Sequence, residues 1–363
     1  MSLKSLLGRS VGLLLDVPLR FSPFSDLAIR RILQQGHARE QLVSRLFADN
    51  PDAREFLIEL CRETNPRFTR ALRLAEAEKE LAELAEFVDL DTDIERRRQD
   101  AFDAASRVPD VEKVICDIVC PDDEVLLKDA RLRVPQRRDV AVLIQEILVN
   151  QDYYFATDEQ APRILDCGSH FGLAIYYFKH LYPEARITAF EPVPKNRDLL
   201  LENVRRNDWK DVEVLPCAIS DSNEPATFFA SENCSMAGSL TERAVKSSTQ
   251  IEEIEVPCRR LSEFLDEPVH FLKLDIEGVE DRVLAEAEPK LSNIQHIFCE
   301  YHDGEGLDRC RLAKILTLLD RVGFDTHTSK AWATARRSGE KPIEYVAEPL
   351  SMCIWGKARK WPN

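Results

Sequence analysis

The stretch Ile164-Leu165-Asp166-Cys167-Gly168-Ser169-His170-Phe171-Gly172 decides the fold. A short apolar run that ends on an acid and passes into a glycine pair reads as a strand, 163–167, turning into a helix, 173–181. Gly168 and Gly172 allow a sharp turn and a close approach to a ligand, with which a Cβ would collide. The helix that follows presents unpaired N–H groups and a positive dipole end, suited to a carboxylate. The spacing Asp-x-Gly-x-x-x-Gly departs from the Gly-x-Gly-x-x-Gly of dinucleotide sites, and its leading acid suits an ammonium group better than a phosphate. Packing alone also places two glycines in such turns, so the motif gains force only from what surrounds it.

Downstream, strands expected at 163–167, 186–190, 212–216, 270–274, 295–299 and 352–356 alternate with helices at 173–181, 196–207, 281–287 and 307–322. Such alternation means a mostly parallel sheet covered on both faces. Ligands then bind beyond the carboxyl ends of the strands, where the strand order reverses. Glu191, at the tip of the second strand, stands at the interval of roughly 20 residues from which an acid can accept both hydroxyls of a ribose. A solvated glutamate at a strand end is the plainer alternative. After the third strand, Cys217-Ala-Ile-Ser-Asp221 lies where an adenine edge would be read, by the backbone of Ala218 or the side chain of Asp221. The segment 222–268 is too long for a plain connection. Phe228-Phe229 and 233–239 are expected to form a hairpin over the second substrate.

Upstream the character differs. Residues 1–110 are expected to form a helical N-terminal domain, with apolar periodicity at 25–35, 38–48 and 52–63. Leu74, Leu81, Leu84, Phe87 and Val88 form an apolar stripe that is expected to lie on its own domain, a homodimer through these helices being the alternative. Residues 111–155 are read as short strands, 114–119 and 124–134, joined by a turn at Pro121 and followed by a helix at 139–150. The Rossmann-like domain is assigned to 156–363.

The chain has 363 residues, enough for two units, and its apolar and charged fractions of 44% and 31% are those of a globular protein. A formal charge of −15 argues against nucleic acid as a partner, because phosphate binding relies on Lys and Arg. No apolar run reaches the length of a membrane span. The apolar run at 11–15 is too short for a signal peptide and no cleavage site follows, so it is read as a helix. Ten cysteines without a Cys-x-x-Cys pair read as buried free thiols of a cytoplasmic protein rather than as disulfides or a metal site.

Several strings in order resemble the FkbM family of S-adenosylmethionine-dependent methyltransferases across roughly residues 160 to 325. They are 164–172, Phe190-Glu-Pro-Val-Pro-Lys-Asn196, Ala218-Ile-Ser-Asp221, Phe271-Leu-Lys-Leu-Asp-Ile-Glu-Gly-Val-Glu280 and Glu300-Tyr-His302. The Lys-x-Asp-x-Glu-Gly-x-Glu string is the most specific. The resemblance implies the class I methyltransferase sheet with a last, antiparallel strand at 352–356. It also implies S-adenosylmethionine held by Asp166, Gly168, Ser169, His170, Gly172, Glu191, Ala218, Asp221 and Asp275. The family usually has Ala-Asn inside the first glycine turn, where this chain has Ser169-His170. Methylation of a hydroxyl on a sugar, glycan or natural product is the implied reaction.

Methyl transfer needs in-line approach to about 3–3.5 Å. An alcohol acceptor gains a further ~10²–10⁴-fold from a base. Lys273 and Asp275 share a face of the fourth strand, and an isolated strand lysine needs a carboxylate partner, for which Glu300 is the natural candidate. Asp275 is expected against the reacting centre, His302 or Glu300 as base, and Lys273 as the group that fixes the carboxylates. Glu277 and Glu280 are expected to cap the next helix. A divalent cation held by these acids ranks below the metal-free arrangement. Two other readings compete with the enzyme: a cofactor-binding scaffold in glycan or natural-product assembly, and an NAD-dependent oxidoreductase, which the glycine spacing disfavours.

Overall fold

The computed structural model describes residues 66–88, 96–98, 100–101, 104, 111–231, 238–240, 251–302, 310–329, 332–333 and 350–361. The helices expected at 25–35, 38–48 and 52–63 lie outside these residues. The chain divides into two compact units, Met1–Ala85 with Leu90–Ile118, and Glu86–Asp89 with Val119–Asn363.

In the first unit, helix α1 (Pro66–Glu83) buries Ala77 and Leu81. Helix α2 (Val111–Val119) replaces the strand expected at 114–119. Val114, Ile115, Ile118 and Val119 are all buried, at one- and four-residue intervals that suit a helix face. β-Branched content misleads here because burial on a helix outweighs intrinsic preference.

The second unit opens with β1 (Glu124–Leu126) and β2 (Arg131–Arg133), an antiparallel pair where one strand was expected. Helix α3 (Arg137–Ile144) runs into a π-helical turn, Gln145–Val149. Strand β3 (Arg163–Cys167) follows, then α4 (Leu173–Leu181), β4 (Arg186–Phe190), α5 (Pro194–Arg206) and β5 (Val212–Leu215). On α5, the side-chain amides of Asn203 and Asn207 each exchange two hydrogen bonds with the backbone of β2, at Arg133 and Arg131, and so act as a substitute neighbouring strand.

Beyond β5 the chain forms β6 (Ala218–Ser220), β7 (Ala226–Ser231), β8 (Gly238–Ser239), β9 (Ile251–Val256) and β10 (Cys258–Arg260). The expected hairpin exists as the β7–β8 pairing of Phe229 with Ser239, but β9 joins it along all of β7 and β10 pairs with β6. The chain returns through β11 (Val269–Leu274), α6 (Glu280–Ala287), β12 (Ile294–His302), α7 (Arg311–Arg321), β13 (Phe324–Thr328), β14 (Trp332–Ala333) and β15 (Leu350–Ala358).

The main sheet has the order β13-β15-β12-β11-β3-β4-β5, with β14 beside β15. Strands β5 to β12 are parallel, and β15 is antiparallel to both its neighbours, so the last strand runs as the resemblance implied. Strand β3 sits at the centre of the five parallel strands, and Ile164, Leu165, Asp166 and Cys167 are all 0% exposed. From β3 the chain works outward to β5, then crosses back to β11 on the other side. The strand order therefore reverses between β3 and β11, and a crevice opens at their carboxyl ends. Among the described residues no helix is long and apolar enough to cross a membrane.

Candidate active site

The β3–α4 turn closes at Gly168 and Gly172, both in the left-handed region with φ of +87° and +95°. A Cβ on Gly168 would stand 2.1 Å from the Asp275 carbonyl oxygen, and one on Gly172 would stand 2.7 Å from Leu200 Cδ1. A first reason for glycine at both positions is therefore internal to the protein. What leaves no room at either glycine is the protein itself, and the turn is pressed against the end of β11. His170 also has a positive φ, +52°. Its N–H donates to Glu191 Oε2 at 2.9 Å, and the Val193 N–H donates to Glu191 Oε1 at 2.9 Å. The buried Glu191 carboxylate therefore clasps the turn from the tip of β4. Burial pushes its carboxyl up to about 7, against the pull of those two N–H groups.

Register brings Asp166 of β3 opposite Lys273 of β11. Lys273 Nζ lies 3.5 Å from Asp166 Oδ1 and 3.3 Å from Asp275 Oδ2, and donates to the carbonyls of Gly168 (2.8 Å) and Cys167 (3.3 Å). It also stands 5.5 Å from the centre of the Tyr153 ring. Burial opposes its charge, but Asp275 and Asp166 outweigh burial and hold the ammonium above its ordinary range. The expected Lys273–Glu300 pairing is corrected: the partners are Asp166 and Asp275, because the neighbouring parallel strand supplies an acid at the same level. Neither carboxylate oxygen of Asp166, a fully buried residue, has a hydrogen-bond partner. Burial pushes its carboxyl up, and Lys273 pulls it down.

Glu300 turns instead to His302. The imidazole Nε2 lies 3.2 Å from Glu300 and 3.4 Å from Glu277, and Nδ1 lies 3.5 Å from Glu280. Burial works against the charge, yet Glu277, Glu280 and Glu300 raise the imidazole well above its ordinary value. The three acids meet both ring nitrogens and favour the charged imidazole, which accepts a proton less readily than a neutral one. Glu280 braces the loop before α6 rather than capping the helix, accepting from the Gly278 N–H at 2.7 Å. Glu277 does not cap it either: it turns to His302, and burial pushes its carboxyl up to about 8. Asp275, Glu277 and His302 bring one ligand atom each within 4.8 Å of one another, so a divalent cation could gather them only by displacing the imidazole proton.

A cavity of about 280 Å³ lies at the crevice. Of the residues expected at the site, Gly168, Ser169, His170, Glu191, Ala218, Lys273, Asp275 and Glu300 line it, and Glu277, expected only as a helix cap, joins them. Asp166, Gly172 and His302 stand behind that lining. Asp221 does not reach the cavity, since Arg282 holds its carboxylate at 2.6 and 2.9 Å. Of the two candidates for the adenine side, Ala218 lines the cavity and Asp221 is not among its lining residues. Sequence reasoning missed Tyr153, Glu146 on the π-helical turn, and Arg311, which braces the β11–α6 turn through Gly278, Glu280 and Asp281. A lone acid among Val142, Leu143, Ile147 and Leu148 was the one sign of Glu146 that the sequence carried.

The model of a family described as Methyltransferase FkbM domain matches residues 166–326, from the end of β3 into β13. The chain is 30% identical over 234 residues to Methyltransferase sdnD of Sordaria araneosa, covering 54% of this chain and 89% of that protein. It is 28% identical over 161 residues to 2-O-methyltransferase NoeI of Sinorhizobium fredii, covering 40% of this chain and 65% of that protein. A crystal structure of methyltransferase FkbM from Methylobacillus flagellatus aligns with a TM-score of 0.36 at 14% identity, over 61% of this chain and 54% of that one. With the sdnD protein matched over most of its length, and the matched family segment supplying the turn, the buried lysine and the carboxylates of the cavity, this chain is a methyltransferase and belongs to the FkbM family.

Proposed function

We propose that the chain transfers the methyl group of S-adenosylmethionine to a hydroxyl of a sugar, glycan or natural-product acceptor. One observation carries the cofactor: the β3–β11 crevice opens beside the Gly168–Gly172 turn and is ringed by more acids than bases. Glu146, Glu191, Asp275, Glu277 and Glu300 line it, and Lys273 is spoken for by Asp166 and Asp275. S-Adenosylmethionine carries an ammonium and a sulfonium, and such surroundings favour both charges. Glu191 keeps lone pairs for ribose hydroxyls beyond the two N–H groups it already accepts. Asp166, buried and paired with Lys273, lies close under the turn. When bound, the sulfonium supplies the electrophilic methyl group. The protein's own task is to align the acceptor and exclude water. The hydroxyl as acceptor rests on the relative that is named a 2-O-methyltransferase. A reducing, cytoplasmic setting suits the free thiols, of which Cys167, Cys217, Cys299 and Cys353 are buried.

Calorimetry with S-adenosylmethionine, S-adenosylhomocysteine and NAD tests the cofactor. The adenosyl ligands should bind and NAD should not. Glu191→Ala should weaken both adenosyl ligands at least ~10-fold, the equivalent of ~1.4 kcal/mol. Unchanged affinity in that variant would show that the nucleoside docks elsewhere.

A further inference from the structure

Methyl transfer to a hydroxyl, the reading on which this inference rests, asks for a proton acceptor in the cavity. The neighbours of the reacting centre are already engaged. His302 lies within 3.5 Å of Glu277, Glu280 and Glu300, which hold it well above its ordinary value, and Asp275 faces Lys273. Glu146 differs: among the described residues no Lys, Arg or His stands within ion-pair distance of it. It belongs to the π-helical turn Gln145–Val149, which ends the helix that α3 begins. Such turns insert a residue into the helical register and recur at functional sites. The same wall of the cavity is otherwise apolar, formed by Val142, Leu143 and Ile147, so Glu146 is the polar group it presents. The groups that act on it are Glu300 and His302 from β12, Asp275 from the end of β11 and Asp152 from the loop after the turn. Burial first, then Glu300, Asp275 and Asp152, push its carboxyl up to about 8, with His302 pulling the other way. A base poised near the working pH is the effective kind.

We propose that Glu146 is the catalytic base for the acceptor hydroxyl, and that the acceptor is a neutral hydroxylated molecule rather than a phosphate or carboxylate. In the step, the acceptor oxygen bonds to the methyl carbon and the carbon–sulfur bond breaks with its electron pair left on sulfur. The hydroxyl proton passes to the Glu146 carboxylate. The charges balance: a sulfonium and a carboxylate become a thioether and a carboxylic acid. An anionic acceptor would meet Glu146, Asp275, Glu277 and Glu300 with no unengaged cation among the lining residues.

The test uses the full chain, S-adenosylmethionine labelled at its methyl group, and two sets of probes across pH 6 to 9. Methyl glucoside, glycerol and catechol are the neutral set, and glucose 6-phosphate and glucuronate the anionic set. Label should pass to at least one neutral probe, with a rate that rises through about pH 8, and to neither anion. Glu146→Gln should lower that rate ~10²–10⁴-fold and abolish the rise. Glu146→Asp should restore part of it. Both variants should still bind S-adenosylhomocysteine, which also reports that they are folded. A Glu146→Gln enzyme that keeps its rate or its pH limb, or a wild-type enzyme that methylates the anions, overturns the proposal and leaves the methyltransferase reading standing. Failure of the wild type to bind S-adenosylhomocysteine, or to label any hydroxyl probe, overturns the hydroxyl-transfer reading itself and this inference with it.

Discussion

Substituting Gly168 by alanine loads two separate penalties onto one turn. The first is conformational: at φ +87° an L-residue costs about 1–2 kcal/mol over glycine. The second is steric. The new Cβ would stand 2.1 Å from the Asp275 carbonyl oxygen and 3.3 Å from its carbon, and the obstacle is backbone, which cannot rotate away as a side chain can. Restoring an ordinary contact moves the turn or the end of β11 by more than 1 Å, and overpacking of this kind costs about 1–3 kcal/mol. The expected loss is therefore about 2–5 kcal/mol, read as a lower midpoint at unchanged slope in urea unfolding. The same displacement pulls Gly168 away from Lys273 Nζ, which donates to its carbonyl at 2.8 Å, and loosens the clasp of Glu191 on His170. Affinity for S-adenosylhomocysteine should fall at least 10-fold in the surviving folded protein, measured by calorimetry. A Gly168→Ala protein within about 0.5 kcal/mol of the parent, with unaltered affinity, would refute the account of this turn.

Three further outcomes are expected. Lys273→Met leaves the buried Asp166 and the half-buried Asp275 without their cation, and should cost about 3–5 kcal/mol in urea unfolding, partly recovered by adding Asp166→Asn. Stability should fall as pH rises from about 5 to about 8. The acids Asp152, Glu191, Glu146 and Glu277 have folded values raised to about 6, 7, 8 and 8, so the native state holds protons that the unfolded chain has already released. Each such proton lowers stability by about 1.4 kcal/mol per pH unit. His302 acts in the same sense, because a raised imidazole stabilises below its ordinary value and loses that contribution as pH rises. A flat thermal-midpoint profile over this range would contradict the burial of these groups. Finally, EDTA should leave methyl transfer unchanged, and a loss restored by Mg²⁺ would instead assign Asp275, Glu277 and His302 to a cation.

The elements read most closely in the sequence are those whose patterning is unambiguous. Strand β3, strand β4 and helix α4 fall on the expected residues because an apolar run on a doubly covered strand and a glycine at the helix entry leave little choice. The 114–119 segment failed because β-branched residues on a buried helix face look like strand. Strand β13, with its burial confined to Phe324 at one end, carried no apolar alternation to detect. At the site, Asp166, Glu191, Lys273 and Asp275 were legible as residues but not as partners. The pairing of Lys273 with Asp166 depends on the register of two parallel strands more than a hundred residues apart, and no local pattern encodes it. Glu146 was invisible for a related reason: the π-helical turn that presents it arises from tertiary packing, while its immediate neighbours look like any amphipathic helix.

The antiparallel β15 lies between β12 and β13, two strands that precede it in the chain. A nascent polypeptide that has emerged only as far as residue 333 thus carries two unmated edges, with nothing yet made to fill the slot between them. Assembly must wait for 350–358, and the interval is a window in which a foreign strand, or the same segment of a sister chain, can take that place. Slow codons between β13 and β15 would lengthen the exposure, and inclusion bodies would be its visible result.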